Sequence, residues 1–141
     1  QQIAEKNGVT IIDDTYNASP VSMKAGLEVL EAKAKGRRIA VLADMKELGP
    51  DSPKFHYEVG SWMKSHPVDI LFTYGELAEQ IARGAKRAGM KAEYLHFDEN
   101  QRDALAESVK AKLQPGDCVL LKGSNSMKLS EAVKHLKETR S

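Results

Sequence analysis

The stretch Val9-Thr10-Ile11-Ile12-Asp13-Asp14-Thr15-Tyr16-Asn17-Ala18-Ser19-Pro20 passes from an apolar run to acids, an aromatic and an amide, and then into a helix start. Val9 to Ile12 reads as a buried strand. Ser19 followed by Pro20 gives an N-cap residue and a first-turn proline. The helix that follows, expected over 20–35, carries Met23, Leu27, Leu30 and Ala34 on one face, and Gly36 is placed to end it. In an open α/β sheet, ligands bind in the crevice beyond the carboxyl ends of the strands. The densest group of hydrogen-bonding side chains in the chain falls at such a place.

The same strand-then-helix pattern continues. Ile39 to Ala43 is a continuous apolar run, as expected of a strand covered on both faces. Ser52-Pro53 offers a second cap-plus-proline start, with Phe55, Val59 and Trp62 expected on the buried face. Val68 to Thr73 reads as a strand, and Gly75 leads to a helix through Leu77, Ile81 and Ala85, closed by Gly89. Ala92 to Phe97 is a weaker strand. Asp98 and Gln101 have capping-box spacing before Leu105, Val109 and Leu113. Pro115-Gly116 turns into a last strand, Asp117 to Lys122, and Met127 to Lys137 closes as an amphipathic helix. Five strands alternating with five helices predict an α/β fold. It is a three-layer, Rossmann-like, mostly parallel sheet with helices on both faces. Residues 1–141 form one domain. The segment before Val9 carries no recognisable domain start, and the chain reads as a piece of a longer protein.

Bulk properties narrow the function. The 141 residues hold 21 Lys+Arg against 20 Asp+Glu, a balance that argues against a dedicated nucleic-acid binder. No apolar run approaches the roughly 20 residues of a membrane span, and no charged-then-apolar leader is present. The lone Cys118 excludes an internal disulfide, fits a reducing compartment and reads as a small core residue. His56 and Glu58 lack the further histidine or cysteines of a zinc site, so no metal site is expected. Neither a phosphate-binding Gly-x-x-x-x-Gly-Lys-Ser/Thr loop nor a Gly-x-Gly-x-x-Gly turn occurs. By itself the chain lacks the parts for a nucleotide-driven reaction.

Three loops at the expected carboxyl edge carry polar residues: 13–19, 44–49 and 122–126. Asp14 and Asn17 suit a tight turn as well as a ligand contact. Lys46 and Glu47 suit a solvated surface. Lys122 ends a strongly apolar strand, and Gly123 permits close backbone approach ahead of a helix start able to hold an anion.

Taken together, these segments resemble the Mur ligase family. The Asp14-Thr15-Tyr16-Asn17-Ala18-Ser19-Pro20 segment with Ser22-Met23 is similar to the family's Asp-x-Tyr-Asn-Ala-Asn-Pro-x-Ser-Met. Ala43-Asp44-Met45 with Glu47-Leu48-Gly49 and His56-x-x-x-Gly60 resembles its Gly-Asp-Met-x-Glu-Leu-Gly loop and helix. Lys122-Gly123-Ser124 with Met127 resembles its Lys-Gly-Ser segment. Two departures stand out: Ser19 in place of the second Asn, and Ala43 in place of Gly.

The resemblance implies the C-terminal domain of a bacterial, cytoplasmic, ATP-dependent amide ligase of peptidoglycan synthesis. The Tyr-Asn-Ala form resembles the branch that adds D-alanyl-D-alanine to UDP-N-acetylmuramoyl-tripeptide through an acyl phosphate. It implies ATP and Mg2+ as cofactors, with the ion held mainly by a central domain that also brings the phosphate loop. The partners it implies are the protein's own N-terminal and central domains, and the domain alone is an incomplete catalytic unit. Asp14, Tyr16 and Asn17 are then expected to bind the nucleotide. Asp44, Glu47, Lys122, Gly123 and Ser124 are expected on the substrate side. Two alternatives stay open: another Mur or folylpolyglutamate-synthase-like ligase domain, and a non-catalytic α/β module for a small ligand.

Overall fold

The apolar runs assemble into a six-stranded sheet in the order β1-β2-β6-β3-β4-β5. The computed structural model describes residues 1–138. The strands are β1 (Gln2–Lys6), β2 (Val9–Asp14), β3 (Arg38–Ala43), β4 (Ile70–Tyr74), β5 (Glu93–Phe97) and β6 (Cys118–Lys122). The helices are α1 (Pro20–Lys33), α2 (Ser52–Trp62), α3 (Glu79–Ala88), α4 (Arg102–Lys112) and α5 (Leu129–Lys137). Strands β2 to β6 pair in parallel. The expected three-layer α/β architecture is present. Among the described residues no helix is long and apolar enough to cross a membrane.

One strand escaped the sequence reading. β1 pairs antiparallel with β2, from Gln2↔Asp13 to Lys6↔Val9. Asn7 and Gly8 form the two-residue turn between them, both with positive φ, 53° and 80°. That is the twist-matched hairpin turn that Asn-Gly favours. β1 lies at the sheet edge and is mostly exposed, so its residues lack the apolar run by which the other strands announce themselves.

Strand periodicity divides the core between two faces. Ile12, Ala40, Leu42, Leu71 and Leu120 meet α1, α2 and α3 through Met23, Leu27, Leu30, Val59 and Ile81. Ile11, Val41, Phe72, Val119 and Leu121 meet α4 and α5 through Leu105, Val109, Leu129 and Val133. Helices α2 and α3 touch backbone to backbone, because a Cβ on Gly60 would overlap Ile81 and one on Gly84 would overlap Tyr57. Cys118 is buried in β6 as a core residue.

Helix boundaries differ from expectation in instructive ways. Ser19 caps α1 as expected: its hydroxyl accepts from Ser22 N–H at 3.1 Å, and Ser22 Oγ accepts from Ser19 N–H at 2.8 Å. Asp98 and Gln101 form their capping box, but around a 3-10 turn over Glu99–Gln101 that precedes α4. Ser52 is not a cap. It is the first residue of α2 and faces inward with His56, Val59 and Gly60, while Phe55 and Trp62 are only half-buried. The inner stripe of α2 is thus partly polar, which hid it from a search for apolar residues.

Candidate functional site

Helix placement opens a crevice at the carboxyl ends of β2, β6 and β3. The loops after β2 and β3 rise to α1 and α2 on one face, whereas the loop after β6 drops to α5 on the other. Adjacent loops that diverge leave a gap between them, the topological switch point of an open α/β sheet. The first and last polar loops line it, and the second, 44–49, is tied to the last through Ser124. A crevice of about 280 Å³ is lined by Gln1, Gln2, Asp13, Asp14, Thr15, Tyr16, Asn125 and Ser130.

The first loop is held from within and from below. Asp13 Oδ1 accepts from the Thr15 hydroxyl at 2.7 Å and from Thr15 N–H at 3.3 Å. Asn17 Oδ1 accepts from Ala18 N–H at 2.9 Å. Asp14 and Lys122 are register partners on β2 and β6, so their side chains leave the sheet on one face. Lys122 Nζ donates to Asp14 Oδ2 at 2.7 Å and to the Asn17 carbonyl at 3.1 Å. Its side chain is 3% exposed against 20% for Asp14. Gly26 of α1 makes room for the lysine stem: a Cβ there would lie 3.0 Å from Lys122 Cδ. Lys122 therefore braces the turn from beneath. Tyr16 and Asn17 face outward, with Tyr16 83% exposed.

The second loop is tied to three neighbours at Asp44, which is buried. Asp44 Oδ1 accepts from Ala78 N–H at 2.7 Å, and the Asp44 carbonyl accepts from Ser124 N–H at 3.0 Å. Gly75, at φ +107°, passes under the carboxylate where any Cβ would collide with it. Lys46 N–H donates to Ser124 Oγ at 2.8 Å. Lys46 Nζ stands 3.6 Å from Asp44 and 3.5 Å from Glu99. Glu47 is exposed and has φ +63°, a left-handed conformation that strains a residue with a side chain. Gly123 is buried against Ala43.

His56 sits behind this loop. Its Nε2 accepts from Met45 N–H at 2.9 Å, and Nδ1 lies 2.7 Å from the Ser52 carbonyl. An N–H and a carbonyl at the two nitrogens fix the Nδ1-protonated tautomer. Burial pushes its pKa below the ordinary 6.5, against the opposing pulls of the Ser52 hydrogen bond and Asp44, with Lys46 adding to the depression.

Every residue expected at the site lies along this edge, in two layers. Tyr16, Asn17 and Glu47 are exposed. Asp44, Lys122, Gly123 and Ser124 are buried, and Asp14 is partly covered by its pairing with Lys122. Four contributors were not expected: Gln1 and Gln2 from the hairpin, Ser130 from α5, and His56. The signal for His56 was its spacing, one turn after Ser52 and one before Val59 on an inward stripe. Among the described residues no group of three or more His, Cys, Asp or Glu side chains is placed to hold a metal ion.

Residues 1–125 match the Mur ligase, glutamate ligase domain. The chain belongs to the Mur ligase family. Within the family it is 41% identical over 138 residues to the UDP-N-acetylmuramoyl-tripeptide–D-alanyl-D-alanine ligase of Bacillus subtilis strain 168, covering 97% of this chain and 30% of that protein. The enzyme of the same name from Escherichia coli K12 is 34% identical over 139 residues, 97% of this chain and 28% of that one. The MurF ligase of Thermotoga maritima, solved in complex with ADP, superposes with a TM-score of 0.76 at 28% identity, covering 96% of this chain and 29% of that one. An Acinetobacter baumannii MurF structure superposes with a TM-score of 0.81 at 26% identity, covering 98% and 30%. The chain spans less than a third of the length of these Mur ligases.

Proposed function

We propose that this chain is the C-terminal domain of a longer cytoplasmic Mur ligase that joins D-alanyl-D-alanine to UDP-N-acetylmuramoyl-tripeptide at the expense of ATP. The observation that carries the reading is the Asp14–Asn17 turn. It sits at the switch-point crevice, braced by a buried lysine, and presents Tyr16 and Asn17 outward. A turn fixed from beneath and bare on top is suited to close on a ligand held by another domain. The names of the relatives, and the ADP bound to one of them, support the choice of ligand.

In this reading Tyr16 and Asn17 meet the nucleotide, and Asp14 shapes the turn through Lys122 while its free edge remains at the crevice. Glu47 and Ser124 belong to the dipeptide side. Asp44 and Gly123 hold that side in place from below, while Lys122, expected on the substrate side, braces the nucleotide turn instead. Amide formation through an acyl phosphate requires the incoming amine to be held in line, and fixed N–H donors and cations where negative charge develops. Loops tied down at Thr15, Ala18, Met45, Lys46 and Ser124 meet the first requirement with little reorganisation. Mg2+, held by the central domain, would neutralise charge on the transferring phosphoryl group. This domain would turn over no ATP without its partners.

The test is a reconstituted ligation with the full-length protein, ATP, Mg2+, UDP-N-acetylmuramoyl-tripeptide and D-alanyl-D-alanine. The nucleotide-linked peptide should gain one dipeptide unit by mass, and replacing the dipeptide with glutamate should give no product. Ligation of glutamate would favour a folylpolyglutamate-synthase-like activity instead. Asn17→Ala should lower kcat/KM by more than about tenfold, roughly 1.4 kcal/mol or more. Unchanged kinetics would remove the turn from the site.

A further inference from the structure

We propose that His56 is a positioning residue whose neutral, Nδ1-protonated ring fixes the Asp44–Met45 peptide and thereby sets where Lys46 and Glu47 stand along the carboxyl edge of the sheet. The peptide unit is clamped from both sides. Its carbonyl accepts from Ser124 N–H of the loop after β6, and its N–H donates to His56 Nε2 of α2. Met45 is fully buried, so an unmet N–H there would cost about 1–3 kcal/mol. Only an acceptor can meet it, and imidazolium offers two donors and none. The Ser52 carbonyl selects the tautomer that keeps Nε2 bare. Asp44 and Lys46, both from the loop after β3, are the charged groups that act on the ring. The next residue along, Glu47, takes up the left-handed φ of 63° that aims it outward. If the clamp were released, the strain at Glu47 would favour a different path for the loop.

The kinetic part of this inference rests on the ligase reading, and the spectroscopic part does not. His56→Leu keeps the bulk and removes both hydrogen bonds, while His56→Gln restores an acceptor toward Met45. In the full-length ligase, His56→Leu should raise KM for D-alanyl-D-alanine about fivefold or more with KM for ATP changed less than about twofold, and His56→Gln should recover most of the loss. Equal effects on both substrates, no effect, or glutamine no better than leucine would overturn the proposal. In this chain, nitrogen NMR of the wild-type ring at neutral pH should show a bare Nε2 and a protonated Nδ1. An Nε2-protonated ring at neutral pH would overturn it even if ligation is observed. A wild-type protein that fails to ligate would instead refute the ligase reading and leave the NMR result to decide the role of His56. Should His56→Leu not fold, the glutamine variant and the wild-type spectrum decide.

Discussion

Replacing Lys122 with methionine separates the brace from the fold around it. Methionine retains the stem that lies over Gly26, so little cavity forms. The ammonium is lost, and with it the bonds to Asp14 Oδ2 at 2.7 Å and to the Asn17 carbonyl at 3.1 Å. Removing one partner of a buried ion pair costs about 3–5 kcal/mol, because the remaining charge is stranded. Asp14 keeps 20% of its side-chain exposure and can recover some water, which places the loss near the lower end, about 3 kcal/mol. For a domain of this size about 1 kcal/mol corresponds to roughly 3–4 °C, so Tm should fall by about 10 °C. Urea unfolding of Lys122→Met, Asp14→Asn and the double variant closes a thermodynamic cycle. The double variant strands no charge, so the two losses should not add, with a coupling of about 1.5 kcal/mol or more. A loss below about 1 kcal/mol, or additivity within about 0.5 kcal/mol, would refute a brace made by this pair.

Other consequences follow from single contacts. Tyr16→Ala should change the unfolding midpoint negligibly, within about 0.5 kcal/mol, because the ring is 83% exposed, yet it should raise KM for ATP in the full-length ligase. Gly84→Ala should lose about 2 kcal/mol or more in urea unfolding, since its methyl overlaps the Tyr57 carbonyl and α2 and α3 must part. Burial alone would raise the Asp117 pKa, but the paired bonds from Arg37 and the Gln114 N–H outweigh it, leaving the carboxyl below the usual 3.8. A depressed folded pKa gives stability that is present above the unfolded value and lost as pH falls through the folded one. The stability gap between wild type and Asp117→Asn should therefore hold at neutral pH and close below about pH 4; a gap independent of pH would contradict the pairing.

Where burial is set by local period, the sequence was readable. The runs at Val9, Ile39, Val68 and Cys118 announce strands because both of their faces are covered, and Ser19-Pro20 announces α1 because capping is local chemistry. β1 was legible only through Asn7-Gly8, since an exposed edge strand needs no apolar run. The carboxyl-edge loops were legible as a site, but their layering was not. Lys122 meets Asp14 across 108 residues because β6 inserts between β2 and β3, and strand order leaves no mark on local composition. Asp44 and His56 went inward for the same reason: their partners, Ala78 N–H and Met45 N–H, are backbone groups whose position only the assembled fold defines.

The direction of β1 has a consequence for the crevice. A parallel edge strand would begin at the amino edge of the sheet, far from the crevice. β1 runs the other way, so Gln1 and Gln2 stand at the carboxyl edge and form part of the crevice wall beside Asp13 and Tyr16. The hairpin therefore adds two amide side chains to a wall otherwise built by β2 and the loop after β6, and a substitution at Gln2 reaches the crevice without touching the braced turn.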